Sequence, residues 1–137
     1  MEVNCRKGVL LVMGMRLHSS GSFKNIEKFL KINPQSLFSQ LHYYGRYGVE
    51  LLSRATPSDT GKTAKSWSYK LLNSRGKYGI EWYNSNVNDG EVIAILIQYG
   101  HGTGTGGYVQ GIDYINPATQ PLFNKMADEI WRKVTNA

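Results

Sequence analysis

The sequence has little with which to cross-link itself, cross a membrane or run a reaction. A single cysteine, Cys5, leaves no partner for an internal disulfide, which suits a reducing compartment. No apolar run approaches the roughly 20 residues that a bilayer span needs, so no membrane partner is expected. The apolar stretch 9–13 follows Arg6-Lys7, but it is shorter than the roughly 7–15 residues of a signal-peptide core and has no small-residue cleavage site after it. His18, His42 and His101 are scattered, and with one cysteine they give no metal-ligand spacing. No serine follows His101, which removes the nucleophile that an Asp-then-His order of triad residues would require.

What is present suits one ordinary folded domain. The 137 residues are a typical length for one hydrophobic core, and the formal net charge is +6. A basic chain has either diffuse solubilising charge or an acidic partner, nucleic acid or protein. Met1, Met13 and Met15 each offer a start. Residues 1–24 therefore read as a doubtful start and a flexible segment, in which 1–12 packs on nothing. Residues 25–137 read as a single α+β domain.

Periodicity supplies the elements. Residues 25–32 suggest a short helix. Asn33-Pro34 reads as an N-cap followed by proline at the first helical position. From there Leu37, Leu41, Tyr44, Gly48, Leu52 and Ala55 recur at helical spacing, which predicts one helix over 34–55. Gly45 and Gly48 weaken it by about 1 kcal/mol each relative to alanine, so they are expected to admit the close approach of another backbone. Residues 66–71 and 78–83 alternate apolar and polar positions, as the two strands of a hairpin do. Residues 84–90 read as a polar loop, and 92–99 as a short helix or a buried strand. Residues 100–107 read as a glycine-rich loop and 108–114 as a returning strand. Asn116-Pro117 repeats the helix-start signal. The last helix should turn Leu122, Met126, Ile130 and Val134 inward, with Asp128–Arg132 and Glu129–Lys133 as outward pairs. The expected architecture is a long N-terminal helix and a C-terminal helix packed on a small antiparallel sheet.

Fragments of catalytic motifs occur, each without its context. Gly61-Lys62-Thr63 ends like a phosphate-binding loop, but Thr56 stands where that loop needs its first glycine, and a helix rather than a strand precedes it. Asp59-Thr60-Gly61 is the aspartic-protease tripeptide, yet it follows Pro57-Ser58 and precedes Lys62, which suits an exposed turn rather than a buried dyad. His101-Gly102-Thr103 resembles a subtilisin histidine segment without the serine. The glycine run carries no lysine or arginine, so anion binding would rest on backbone N–H groups alone. No catalytic, cofactor-binding or metal-binding residue is assigned. Aromatic residues lie beside basic ones at Lys65-Ser66-Trp67, Tyr69-Lys70 and Lys77-Tyr78. That pattern fits single-stranded nucleic-acid binding as well as a hairpin with one buried face.

The order of features carries more than any one of them. A long helix leads into Thr56, Pro57, Asp59, Thr60 and Gly61. Ser66-Trp67 then opens a strand, and an apolar segment ends in Tyr99-Gly100-His101-Gly102-Thr103. Pro117-Ala118 opens a last helix that continues with Pro121 and Phe123. Over 34–134 this order resembles the neck, head–tail joining and tail-completion proteins of long-tailed phages, often labelled minor capsid or tail-component proteins. The resemblance implies a non-enzymatic virion subunit, made in the bacterial host cytoplasm, that forms a ring of about six copies. The ring would join or close the tail at the connector. It would contact a connector or head-closure protein and a tail-tube or tail-terminator protein, with DNA passing through it. Under that reading Tyr99, Gly100, His101, Gly102, Thr103, Gly104, Thr105, Gly106, Gly107 and Tyr108 are the expected interface, ordered only against a neighbour. Pro57, Asp59, Thr60, Gly61, Trp67 and Pro117 are structural. The alternative is a small basic protein that binds single-stranded nucleic acid.

Overall fold

A helix with two glycines on its buried side can seat flat rings against its backbone, and this contact organises the fold. The computed structural model describes residues 3–6, 9–13, 34–57, 61–74 and 77–135. Helix α1 spans Pro34–Ala55, as the spacing predicts. It lies on the hairpin of β3, Trp67–Ser74, and β4, Lys77–Asn84. Trp67 pairs with Asn84, Tyr69 with Trp82 and Leu71 with Ile80, so these side chains share one face. A Cβ on Gly45 would stand 2.2 Å from the Tyr69 ring, and one on Gly48 would stand 2.3 Å from the Trp82 indole. The glycines thus admit aromatic side chains rather than a second backbone, which corrects the sequence expectation. The Trp82 indole N–H also donates to the Gly45 carbonyl at 2.9 Å.

The sheet has four antiparallel strands in the order β1-β2-β4-β3, with β1 at Val3–Arg6 and β2 at Val9–Met13. In β2, Val12 pairs with Glu81 and Met13 with Ile80. The expectation that 1–12 meets no partner is therefore revised for these strands. The second edge of β4 has free backbone donors and acceptors, and an extended apolar stretch satisfies them. The expected helix over 25–32 lies outside the described residues. Lys70 Nζ meets the buried Glu81 carboxylate at 3.1 Å across the β3–β4 register.

After α1 the chain turns through Gly61, whose φ of 72° is left-handed, into the single turn α2, Lys62–Lys65. The buried Asn84 amide donates to the Thr63 carbonyl at 2.8 Å, and the Asn86 amide donates to Thr63 Oγ1 at 2.9 Å. These bonds fix α2 against the end of β4. The loop expected over 84–90 contains a strand instead, β5 at Val87–Asn88, paired with β6 at Glu91–Val92. Asp89 and Gly90 both have positive φ between them, the backbone of a tight two-residue hairpin turn. Helix α3, Ile93–Tyr99, resolves the helix-or-strand ambiguity: Ala94 and Gln98, four apart, are its buried positions.

The last helix, α4, spans Ile115–Thr135 and packs along α1. Leu122 and Met126 are buried as expected; the side chains of Ile130 and Val134 lie outside the described residues. The core gathers Leu41, Tyr44 and Leu52 of α1 with Trp67, Ile80 and Trp82 of the hairpin. Val92, Ala94, Tyr114, Ile115, Leu122 and Met126 complete it. The class is α+β, two long helices with small antiparallel sheets.

Candidate interaction surface

The segment read as a loop is a small hairpin. Strand β7, Gly100–Gly102, pairs with β8, Tyr108–Gln110, placing Gly100 opposite Gln110, His101 opposite Val109 and Gly102 opposite Tyr108. Thr103 closes the tip. Its N–H donates to the Gly107 carbonyl at 3.0 Å, and its hydroxyl accepts from the Gly107 N–H at 3.0 Å. The segment expected as a loop over 100–107 is thus the first strand and tip of a paired hairpin. Counting glycine entropy alone omitted the ladder that 108–110 provides, and Gly100, Gly104 and Gly106 occupy positive-φ positions that the hairpin needs filled by glycine.

The foot of this hairpin is tightly built. A Cβ on Gly100 would stand 2.5 Å from the Val109 carbonyl oxygen, and one on Gly111 would stand 2.5 Å from the Tyr99 carbonyl carbon. The two glycines let the entering and leaving chains touch. The Ile112 N–H donates to the Ile97 carbonyl at 2.8 Å, satisfying an orphan carbonyl at the end of α3. Gln98, buried beside this crossing, accepts from the Tyr114 and Ile115 N–H groups at 3.0 and 2.9 Å and donates to Asp113 Oδ1 at 2.7 Å. It does the work expected of an N-cap. Asn116, expected in that role, lies inside the helix and donates its side-chain amide to Asp113 at 2.9 Å. A cap from fifteen or so positions upstream has no local sequence signature.

Around this close-packed foot several large apolar side chains are exposed. Tyr99 is 55 %, Tyr108 64 % and Ile112 53 % exposed, and Val109 is also exposed. The Tyr108 hydroxyl donates to the Tyr99 carbonyl at 3.1 Å, which holds its ring beside the foot. Exposed aromatic and aliphatic side chains clustered on a fixed backbone are the composition of a binding surface. Of the ten predicted interface residues, Tyr99 and Tyr108 supply the large side chains. Val109, Ile112 and the foot residue Gly111 were missed, because an apolar residue in an irregular segment has no periodicity to mark its face.

The residues expected to be structural divide. Trp67 is buried, and its indole N–H donates to Thr56 Oγ1 at 2.8 Å, which in turn donates to the Leu52 carbonyl at 2.6 Å. Pro57 and Gly61 flank this corner. Asp59 and Thr60 lie outside the described residues. Pro117 is exposed in the first turn of α4. Trp67 and Trp82 are both core, so they offer no stacking platform for bases. His101 Nδ1 is buried and has no hydrogen-bond partner. Among the described residues no three His, Cys, Asp or Glu side chains converge, and no helix is long and apolar enough to cross a membrane.

A second surface feature lies where α1 and α4 meet. Tyr43 and Tyr47 stack with centroids 6.3 Å apart, and Lys125 Nζ sits 4.9 and 5.4 Å from their centroids. Lys125 donates to the Tyr43 hydroxyl at 2.7 Å, and this bond raises the lysine pKa. Beneath them the Tyr44 hydroxyl donates to Glu129. Burial, then that bond, raises the tyrosine pKa. Glu129 was expected outward with Lys133. It turns toward α1 instead, because the neighbouring helix offers it a buried hydroxyl. Comparison with protein-family models, curated proteins and solved structures finds no match.

Proposed function

We propose that this chain is a structural subunit of the phage head–tail junction, a ring-forming virion protein that joins or closes the tail at the connector. The observation that carries this reading is the projecting β7–β8 hairpin. It holds Tyr99 and Tyr108 outward on a glycine-built foot, at the stretch where the resemblance to neck and tail-completion proteins expects contact. The Thr56–Trp67 bond supports the same reading, since it gives the Thr-Pro…Ser-Trp part of that resemblance a packing role. Work of this kind is binding: its partners are further copies of the chain, a connector or head-closure protein, and a tail-tube or terminator protein.

The test is genetic and visual. Deleting the gene from the phage or prophage that carries it should leave filled heads and free tails in negative-stain images. Wild-type protein added to that lysate should restore joined particles, and a Tyr108→Ser protein should not. Joined, infectious particles in the deletion strain would overturn the proposal.

A further inference from the structure

The four-stranded sheet ends at β3, and the outer side of that strand has its backbone unmatched. Ser66 and Ser85 continue the β3–β4 register by one pair, and the Ser85 N–H donates to the Ser66 carbonyl at 3.0 Å. Bonded and unbonded pairs alternate along an antiparallel ladder, so Ser68, Lys70 and Leu72 also bond to β4. Trp67, Tyr69 and Leu71 then turn their N–H and C=O groups to the outer side. Among the described residues no bond reaches those groups. Sheets commonly guard such an edge with an outward lysine, a proline or a bulge. Strand β3 has no proline and keeps an unbroken register with β4. Its one lysine, Lys70, is drawn to the Glu81 carboxylate on β4 at 3.1 Å, away from the edge.

The surroundings of this edge set its chemistry. His42 Nδ1 meets the Tyr69 hydroxyl at 2.9 Å, which marks the side of α1 that faces β3. Arg46 and Val49 follow His42 at spacings that keep them on that side. Arg46 is exposed, while Val49, Tyr69 and Leu71 are half-buried against the core. Lys65 is exposed just before β3. The acids nearby are already matched: Glu50 is held by Arg54 at 2.5 Å, and Glu81 by Lys70. Arg46 and Lys65 have no ion-pair partner among the described residues. The stretch 62–80 carries Lys62, Lys65, Lys70, Arg75 and Lys77 and no Asp or Glu.

We infer that β3 is a docking edge for an acidic, extended segment of another protein, which adds to the sheet as a further strand. The backbone of that segment pairs with Trp67, Tyr69 and Leu71. Its apolar residues, at alternate positions, cover Val49, Tyr69 and Leu71, and its carboxylates meet Arg46 and Lys65. This goes beyond the proposed function and does not rest on it. The β3 edge of a second copy does not fit, because pairing the two would bring Arg46 and Lys65 of both copies together. Nucleic acid does not fit either. Its phosphates would meet the outward carbonyls as well as the N–H groups, and Trp67 and Trp82 are too deeply buried to stack on bases.

The experiment uses the full chain and a fluorescent peptide of alternating valine and glutamate, about as long as β3. The control probes are the same peptide with lysine for glutamate, the same peptide with its backbone amides methylated, and a single-stranded oligonucleotide. One variant is Leu71→Pro, which removes an outward N–H and is a change that an edge strand tolerates. The other is Arg46→Glu with Lys65→Glu, both exposed positions. Circular dichroism checks that each is folded, and if Leu71→Pro is not, the charge variant and the methylated peptide decide. In the free chain the Tyr69 and Leu71 amides should exchange quickly and those of Ser68, Lys70 and Leu72 slowly. The acidic peptide should bind and protect Tyr69 and Leu71. Methylation of the peptide, lysine for glutamate, or either variant should weaken binding at least ~10-fold. Slow exchange at Tyr69 and Leu71 in the free chain, no binding of the acidic peptide, or equal binding of either altered peptide would overturn the inference. So would full binding by the charge variant. Tighter binding of the oligonucleotide, or wild-type self-association that Leu71→Pro abolishes, would overturn it by placing a different occupant on the edge. None of these results alters the deletion phenotype, on which the proposed function stands or falls.

Discussion

Glycine and aromatic rings meet in two places in this molecule, with opposite results. Against α1, Gly45 and Gly48 remove side chains so that Tyr69 and Trp82 can lie on the helix backbone, and Trp82 is left 1 % exposed. At the β7–β8 hairpin, Gly100 and Gly111 remove side chains so that two chain segments can touch, while Tyr99 and Tyr108 stay at the surface. In the first place glycine makes room for a ring; in the second it makes a pedestal beneath one. Composition does not separate the two cases. What separates them is whether a second layer of structure covers the ring.

The contrast predicts where substitution unfolds the chain and where it only changes the surface. Trp82→Ala should have the largest effect, about 3–5 kcal/mol lost in urea unfolding, because it removes a buried ring and leaves a cavity. An unchanged midpoint would mean that α1 does not rest on β4 as described. Gly48→Ala comes next. Alanine favours an isolated helix by about 1 kcal/mol, but a Cβ 2.3 Å from the Trp82 indole forces the ring away, and overpacking of this kind costs roughly 1–3 kcal/mol. The net sign should be destabilising, and a raised melting temperature would show that the ring yields freely.

High pH probes the same packed side through its phenols. Burial raises the Tyr114 pKa from 10.0 to about 12, and Tyr44 is shifted in the same direction by burial and by its bond to Glu129. In the unfolded chain these groups ionise near their ordinary value, so above it the unfolded state holds fewer protons than the native one. Stability should therefore be fully present below pH 10 and decline as pH rises through about 12. The melting temperature followed between pH 8 and pH 12 measures this, and Tyr114→Phe should flatten the decline. The smallest effect belongs to the pedestal. A Cβ on Gly104 meets nothing within 4 Å, but φ there is +77°, so Gly104→Ala should cost roughly 1–2 kcal/mol of local backbone strain at the tip. That should appear as faster amide exchange at Thr103 and Gly107, with a loss in urea unfolding no larger than that strain.

The parts legible in the sequence are those governed by local spacing. The 34–55 helix follows from steps of three and four, and the β3–β4 hairpin from alternation around Trp67, Tyr69, Ile80 and Trp82. The buried side of α4 follows from Leu122 and Met126. Periodicity says which side of an element is covered and nothing about what covers it. The glycines of α1 were therefore assigned a backbone neighbour where the sheet supplies aromatic rings. Gln98 went unnoticed because its work depends on the chain returning from Ile112 to Ile115. Glu129 and the Tyr43–Tyr47–Lys125 cluster depend on α1 and α4 lying side by side, a contact between distant stretches of sequence. The candidate surface was located in part. Its glycines marked the place, whereas the strand pairing and the apolar residues on its far side required the folded arrangement.

Gly100 and Gly111 bring the two ends of the β7–β8 excursion into contact. The rest of the molecule therefore receives the chain back almost where it was let go, whatever happens between those points. The free energy of closing a loop grows only slowly with its length, by about 0.6 kcal/mol for each doubling. A longer, shorter or wholly different tip can be grafted between the two glycines without moving α3 or α4. That exposed surface can thus diverge quickly while the scaffold beneath it stays constant.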